Sequence, residues 1–145
     1  MAGVMAMGAD GVWCASVFLT TTEAETSETV KEKMVNASSS QTVRSRSRTG
    51  KHSRQLKSAW TDAWEAKDAP EPLPMPLQTM VGEPALAIIS KHAEIGHEGA
   101  KDLETYWVGQ GIGLVNETIS AGQTVQKFKE EFIEGYERMT SLFEE

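Results

Sequence analysis

The sequence predicts an α/β chain that has one buried strand and is otherwise mostly helical. The strand prediction rests on residues 12–19, a continuous β-prone run that is typical of a strand covered on both faces of a parallel sheet. The helix prediction rests on apolar residues that recur at three- and four-residue spacing in several later segments. A parallel strand needs parallel neighbours, and the sequence contains no second run of this kind. We therefore expect the chain to form part of a larger fold.

The composition limits the classes of function. Charged residues make up 24% of the 145 residues and hydrophobic residues 39%, as in ordinary globular domains. The net charge of −7 argues against nucleic acid or an anionic membrane as a partner. Cys14 is the only cysteine, so an internal disulfide cannot form and a cytoplasmic setting is expected. The N-terminal apolar stretch lacks basic residues and contains Asp10, so it is not interpreted as a signal peptide.

Residues 1–37 are expected to hold the buried strand and its flanking helices. Met1–Met7 is small and apolar, as in a buried helical turn, and the glycines and aspartate of 8–11 then predict a chain reversal. Thr22 lies three residues before Glu25, which is the spacing of a capping box. The second helix is therefore predicted to begin there and to run to the end of this segment.

Residues 38–76 are predicted to form a basic extended segment, a short helix and a proline-rich connector. Three arginines alternate with serines, so an extended chain would place them on one face. They are Arg44, Arg46 and Arg48. An apolar stripe at i, i+4 and i+8 predicts a helix over 53–66. Its members are Leu56, Trp60 and Trp64. Four prolines at alternate positions from Pro70 to Pro76 predict a stiff connector.

The basic residues are clustered. Six of the fourteen lysines and arginines lie in the segment from Arg44 to Lys57. Such a cluster could bind nucleic acid. We favour a solvated or salt-bridged segment, because the net charge is negative and the arginine run contains no aromatic residue. A phosphate-bearing substrate tail is a third alternative, since the arginine fork suits phosphate.

Residues 77–145 are predicted to be mainly helical. A helix is expected over 77–92, with a break or a new first turn at Pro84. The glycine-rich stretch at 95–101 is expected to be a loop. The glycines within 106–115 permit close approach of the backbone, either to a ligand or to another helix.

The last helix has the clearest sequence signal. Ser120 and Gln123 have the spacing of a capping box, and six apolar residues then recur at helical spacing. They are Val125, Phe128, Phe132, Tyr136, Met139 and Phe143. The acidic pairs Glu130–Glu131 and Glu144–Glu145 are expected to be solvated charges of this helix.

The end of the predicted strand is the candidate binding element. Backbone N–H groups at such an end can hold a phosphate, provided that large side chains do not keep the anion away. Ala15 and Ser16 are small, and the Ser16 hydroxyl adds a donor. The same pattern also suits an ordinary core strand, in which Cys14 would be an inert buried thiol.

The run at 8–19 is similar to the last barrel strand of the nitronate monooxygenase (2-nitropropane dioxygenase-like) family. It reads Gly-Ala-Asp-Gly-Val-Trp-Cys-Ala-Ser-Val-Phe-Leu. The family usually shows Gly-Ala-x-Gly-Val, then Gly-Thr or Gly-Ser, then an aromatic residue and a leucine. The segments at 42–46, 49–51 and 107–111 and the closing helix also fit in order, so the resemblance covers essentially the whole chain.

This resemblance implies a C-terminal fragment of a TIM-type (β/α)₈ barrel. It also implies an FMN-dependent oxidoreductase that oxidises a nitronate, a small-molecule substrate, with O2. Cys14, Ala15 and Ser16 match the last strand's share of the flavin phosphate site. Ala15 stands where the family usually has glycine, which would strain the loop only if the position required a positive φ.

The resemblance also implies what this chain does not carry. The family's histidine base and the glycines of the preceding strand end belong upstream of the matched region, and His52, His92 and His97 do not match that histidine motif. We therefore expect no catalytic residue, no metal site and no activity from the chain alone. A flavin oxidoreductase for an acyl-CoA-type substrate and a non-catalytic helical interaction module are the alternatives.

Overall fold

The computed structural model describes residues 1–143, so the charges predicted at Glu144–Glu145 lie outside the described residues. Helices dominate, and the strands form one small sheet. The helices are α1 (Ala2–Ala6), α2 (Ser16–Leu19), α3 (Glu28–Asn36), α4 (Ala59–Glu65), α5 (Leu77–Glu94), α6 (Glu98–Leu103) and α7 (Ala121–Thr140). The strands are β1 (Thr42–Ser45) and β2 (Ser53–Leu56). Short 3₁₀ helices cover Ser39–Gln41, Gln110–Leu114 and Ser141–Phe143.

The buried strand predicted at 12–19 is wrong in the described structure. Residues 11–15 have no regular secondary structure, and Ser16–Leu19 form α2. The Trp13 side chain is 99% exposed to solvent. A strand must pair its backbone N–H and C=O groups with a neighbour, and the sheet within residues 1–143 lies elsewhere in the chain. Without such a neighbour, the β-prone run forms a loop and one helical turn.

The sheet is an antiparallel hairpin of β1 and β2. Its register pairs Thr42 with Leu56 at one end and Ser45 with Ser53 at the other. The helix predicted over 53–66 is therefore wrong in its first part, because those residues form β2. The extended segment predicted after residue 41 is confirmed, although it ends with β1 and the following arginines lie in the connecting loop.

Helix α4 begins after β2, at a boundary set by a capping box. The Thr61 N–H donates to the Ser58 hydroxyl at 3.4 Å, and the Ser58 N–H donates to the Thr61 hydroxyl at 2.9 Å. These bonds satisfy N–H groups that a helix start leaves free. Leu56 lies upstream and donates its N–H to the Tyr106 carbonyl at 3.0 Å. Leu56 therefore lies in a strand and Trp60 in a helix, so their four-residue spacing does not reflect one continuous helix.

Two other predicted boundaries were wrong. Helix α3 begins at Glu28 and not at Thr22, because Ser27 caps it by accepting a hydrogen bond from the Val30 N–H at 3.2 Å. The loop predicted at 95–101 includes the start of α6. In both places the glycines, serines and threonines of the sequence offer several starting points, and the tertiary contacts select one of them.

Helix α5 confirms the helix predicted over 77–92 and contains no break at Pro84. Pro84 cannot donate a hydrogen bond to the Met80 carbonyl. Both residues are exposed, so water can satisfy that carbonyl. On the opposite side of the helix Gly82 is buried, and a Cβ there would lie 3.1 Å from the Arg48 carbonyl oxygen. The absence of a side chain at Gly82 therefore lets α5 approach the hairpin loop closely.

Helix α7 confirms the predicted C-terminal helix and its capping box. The Gln123 N–H donates to the Ser120 hydroxyl at 3.1 Å, and the Ser120 N–H donates to the Gln123 side-chain oxygen at 2.9 Å. The predicted helical turn at Met1–Met7 is also confirmed as α1, but it contains no buried residue. It packs on the outside of α7, where a Cβ on Gly135 would lie 2.9 Å from the Cβ of Ala2.

The hydrophobic core of the described residues is small and lies where α3, β2 and the segment after α6 meet. Its buried members are Val30, Met34, Leu56, Val108 and Ile112. They come from all three segments into which the sequence was divided, so the core holds those segments together. No helix within residues 1–143 is both long enough and apolar enough to cross a membrane.

Candidate functional site

A cavity of about 610 Å³, the first cavity, opens between the loop before α2, the 3₁₀ helix that precedes α7, and α7 itself. The three candidate residues Cys14, Ala15 and Ser16 all line it. Gly109 and Gly111, from the glycine-rich stretch at 106–115, also line it. The fold therefore brings together two elements that lie more than ninety residues apart in the sequence.

Ser16 joins these two elements. Its hydroxyl oxygen accepts a hydrogen bond from the Gly109 N–H at 2.7 Å, and its hydroxyl proton is left to donate elsewhere. A Cβ on Gly109 would lie 3.5 Å from this oxygen, which is an ordinary contact distance. Gly113, by contrast, sits so close to Ser39 that a Cβ would lie 2.8 Å from the Ser39 backbone nitrogen. The close backbone approach predicted for this stretch therefore occurs at Gly113, and it is to the backbone of Ser39.

Ala15 adopts a negative φ of −118°, so alanine is unstrained where the family usually has glycine. Its side chain is small and exposed at the wall of the first cavity. Cys14 is only half-buried and lies in a loop, so the expectation of a buried core thiol is wrong. The cause is the missing strand, because the cysteine would be enclosed only if that run were covered on both faces.

Lys127 on α7 brings a positive charge to the first cavity and was not singled out from the sequence. Its ammonium donates to a Glu117 carboxylate oxygen at 3.0 Å, and this hydrogen bond is the main cause of a raised pKa of Lys127. The next residue, Phe128, packs against Phe18 of α2 with ring centroids 6.4 Å apart. That contact fixes which face of α7 meets the cavity. Only the pairing of α7 with α2 could have identified Lys127, and the sequence does not show it.

The arginines of the basic segment do not share one face, contrary to the prediction. Arg44 lies within β1 and is exposed, whereas Arg48 lies in the loop after the strand ends at Ser45 and is buried. Arg48 donates a forked pair of hydrogen bonds to Glu83, each 2.8 Å long, and its guanidinium lies 3.7 Å from the centre of the Trp107 ring. Arg46 pairs with Glu71. The salt-bridged interpretation is confirmed for these two arginines.

A second cavity of about 590 Å³ lies between the start of α3, α5 and the segment after α6, and shares no lining residue with the first cavity. Its walls include the Arg48–Glu83 pair and the buried Glu104. None of the three histidines lines either cavity in the described part of the chain. His92 and His97 instead lie edge to face on the surface, with ring centroids 6.3 Å apart.

Comparison with known proteins covers nearly the whole chain. The family model described as nitronate monooxygenase matches residues 1–131. A Mycobacterium tuberculosis protein named "Putative monooxygenase Rv1533" is 48% identical over 143 residues, which are 98% of this chain and 38% of that protein. The chain therefore spans about two fifths of the length of this relative.

Solved structures show the same partial coverage. The structure of FabK from Thermotoga maritima matches with a TM-score of 0.70 and 26% identity, over 98% of this chain and 43% of FabK. A mutant of the same protein matches with a TM-score of 0.65 and 25% identity, over 98% of this chain and 40% of the mutant. FabK is a TIM-barrel enzyme, so the predicted fold class, part of a TIM-type barrel, is confirmed.

Proposed function

Since the chain belongs to the nitronate monooxygenase family, we propose that it contributes one side of the flavin phosphate site in an FMN-dependent oxidoreductase. The reaction proposed for the whole protein is the oxidation of a nitronate, a small carbon acid, with O2. The family match and the relative named as a monooxygenase support an oxidoreductase. When bound, FMN would take electrons from the carbon acid and pass them to O2.

The observation that carries this proposal is the meeting of Cys14, Ala15 and Ser16 with Lys127 around the first cavity. A phosphate needs hydrogen-bond donors and positive charge that reach it without steric obstruction. In the proposed site the Ser16 hydroxyl would donate a hydrogen bond to the phosphate, and the small Ala15 leaves the backbone accessible. The Lys127 ammonium, which pairs with Glu117, would supply positive charge, and Cys14 would contact the flavin from the cavity wall.

The first cavity fits such a group in size, and its charged lining consists of Lys127, its partner Glu117, and Glu131. Its volume of about 610 Å³ lies within the range of about 300–1,000 Å³ that is usual for ligand pockets. Lys127 is protonated at neutral pH, and its hydrogen bond to Glu117 raises its pKa above the ordinary value. The exposed Trp13 and the half-buried Phe128 add aromatic surface to the same wall. These residues would bind and orient the cofactor, and none of them is assigned a proton-transfer role.

The phosphate site can be tested by titrating the chain with FMN and with riboflavin while following flavin fluorescence. Ser16→Ala and Lys127→Gln should each weaken FMN binding by about tenfold, the loss expected for one charge-assisted hydrogen bond. Riboflavin lacks the phosphate, so its weaker binding should be the same for every variant. Ser40→Ala and Lys129→Gln are matched controls, because both residues are exposed and lie outside the first cavity. Equal binding of FMN and riboflavin to the unmodified chain would refute the phosphate site.

The activity of the chain alone is a separate test. No histidine in the described residues lines the first cavity, so we expect no O2 consumption when the chain is mixed with FMN and a nitronate. An oxygen electrode measures this directly. A purified chain that is yellow and consumes O2 with a nitronate would show that it carries more of the catalytic site than we propose.

A further inference from the structure

Glu104, just after α6, carries a buried oxygen that no residue satisfies. The residue is only 3% exposed. Its Oε1 accepts hydrogen bonds from the hydroxyls of Ser27, at 2.8 Å, and Ser90, at 2.7 Å. Its Oε2 is enclosed and has no hydrogen-bond partner among the described residues. Burying a carboxylate oxygen without a donor is costly, so a donor from outside the chain is expected there.

The surroundings of this oxygen define the chemistry of that donor. Glu104 lies on the wall of the second cavity, together with three more glutamates and a single arginine. The glutamates are Glu25, Glu83 and Glu94. The arginine, Arg48, is already forked onto Glu83. The lining therefore carries an excess of negative charge, which favours a cation over an anion.

The nearby Lys33 does not fill this role. Its ammonium donates to the backbone carbonyl of Glu104 at 2.8 Å and to that of Asp102 at 3.4 Å, and not to the Glu104 carboxylate. Burial lowers the pKa of Lys33, and the attraction of Glu104 and Asp102 opposes that effect. A metal ion is a poor fit as well, since residues 1–143 contain no group of three acidic, histidine or cysteine side chains placed to hold one.

We propose that the second cavity binds a small organic cation, in the form of a primary ammonium group on a short apolar body. The ammonium donates one hydrogen bond to Glu104 Oε2, and its single positive charge offsets part of the excess negative charge of the lining. The apolar body lies against Val30, Leu86 and Tyr106, which line the same cavity. This site is separate from the first cavity and does not depend on the proposed flavin role.

The test is a titration of the chain with butylammonium chloride, followed by two-dimensional amide NMR, with 1-butanol as the neutral molecule of the same shape. We expect saturable shifts at residues of the second cavity with butylammonium and none with butanol. Glu104→Gln should weaken binding by about tenfold, because the charge is lost while the shape is kept. Glu98→Gln is the control, since Glu98 lies exposed at the other end of α6.

A second variant keeps the test decisive if Glu104→Gln does not fold. Ala87→Phe adds a ring at an exposed wall of the second cavity, does not replace Ser27 or Ser90, and should abolish butylammonium binding while the rest of the NMR spectrum is unchanged. The proposal is overturned if the unmodified chain shows no saturable shift, since water alone would then satisfy Oε2. It is also overturned if butanol binds as tightly as butylammonium, or if both variants bind as the unmodified chain does.

Discussion

Gly50 ties the hairpin loop to the proline-rich connector. It has a φ of +80°, and a Cβ there would overlap the carbonyl oxygen of Leu73 and lie 2.9 Å from the Met75 nitrogen. Its N–H donates to the Arg46 carbonyl at 2.9 Å, and the Arg46 side chain donates back to the Gly50 carbonyl at 2.9 Å. Conformation and space therefore both require glycine at this position.

We expect Gly50→Ala to lower the free energy of unfolding by about 3 kcal/mol, through left-handed strain and the clash with the connector. The matched control is Gly96→Ala. Gly96 has a φ of +90° and open space around it, so only the strain applies there. Its loss should be about 1 kcal/mol. Chemical denaturation measures both values, and equal losses would show that the connector yields to the new methyl group.

Arg48 is the residue for which charge and stacking act together. Arg48→Lys keeps the charge but loses the forked pair with Glu83 and the contact with the Trp107 ring. We expect a loss of about 3 kcal/mol in the free energy of unfolding, as for damage to a buried pair. Arg44→Lys makes the same change at an exposed position of the same segment, and should stay within about 0.5 kcal/mol. Similar losses for both would contradict a special role for Arg48.

At the residue scale the sequence identified part of the candidate site. Ala15 and Ser16 could be singled out because two small residues within an apolar run are a local pattern, and Cys14 was added by the family resemblance. The partner of Ser16, the Gly109 N–H, and the charge of Lys127 could not be predicted, because each meets the run only through tertiary packing.

At the element scale, the start of α7 has one cap that the local sequence predicts and one that it does not. The capping box of Ser120 and Gln123 lies within four residues and was predicted. A second cap comes from Glu23, whose two carboxylate oxygens accept hydrogen bonds from the Ala121 N–H at 3.1 and 2.9 Å. That partner is 98 residues away in sequence, so no local pattern could indicate it. The hydrogen bond from Ala121 is the main cause of a lowered pKa of Glu23.

This lowered pKa predicts a pH-dependent cap. The carboxylate should stabilise the fold fully above its ordinary pKa of 4.5, and the contribution should disappear as the pH falls through the lowered value. The difference in stability between the unmodified chain and Glu23→Gln should therefore be largest near neutral pH and vanish in acid. Ser120→Ala is the control, because serine does not titrate and its loss of about 1 kcal/mol should not follow this profile. Thermal unfolding over a pH series measures the stability of both variants. A stability difference between the unmodified chain and Glu23→Gln that grows in acid would contradict the capping role of Glu23.

The elements that the sequence did not predict correctly share one physical cause. The run at 12–19 is β-prone, yet strand formation also needs a neighbouring strand, which residues 1–143 do not supply at that place. The spacing at 53–66 suits a helix, yet β2 forms because Gln55 pairs with Val43 of β1 and the Leu56 N–H donates to the Tyr106 carbonyl. Long segments with their own caps, such as α7, were predicted well because their hydrogen bonds are local.

At the scale of the whole molecule, one small core holds the chain together. Met34 lies at its centre with no exposed surface. We expect Met34→Ala to lower the free energy of unfolding by about 3 kcal/mol, from lost burial and the cavity left behind. Met80→Ala, at a side chain that is 71% exposed, should stay within about 0.5 kcal/mol. Denaturant unfolding tests both variants, and equal losses would mean that Met34 is not part of a cooperative core.

The fold class, part of a TIM-type barrel, was predictable from the order of the family motifs and not from the β-prone run at 12–19, which forms no strand. The arrangement around the core was not, since Val30, Leu56 and Ile112 meet across more than eighty residues of sequence. The coverage of about two fifths of the relatives agrees with the expectation that the chain forms part of a larger fold.

Because Trp13 is exposed, the intrinsic tryptophan fluorescence of the protein should report binding in the first cavity. This indole is 99% exposed on the wall of the first cavity, whereas Trp107 is 38% exposed and the other two tryptophans are half-buried. Emission from a tryptophan in water moves to shorter wavelength when another surface covers the ring. Anything that occupies the first cavity should therefore shift the emission of Trp13 and leave that of the other three unchanged, and Trp13→Phe should remove the signal without removing the binding.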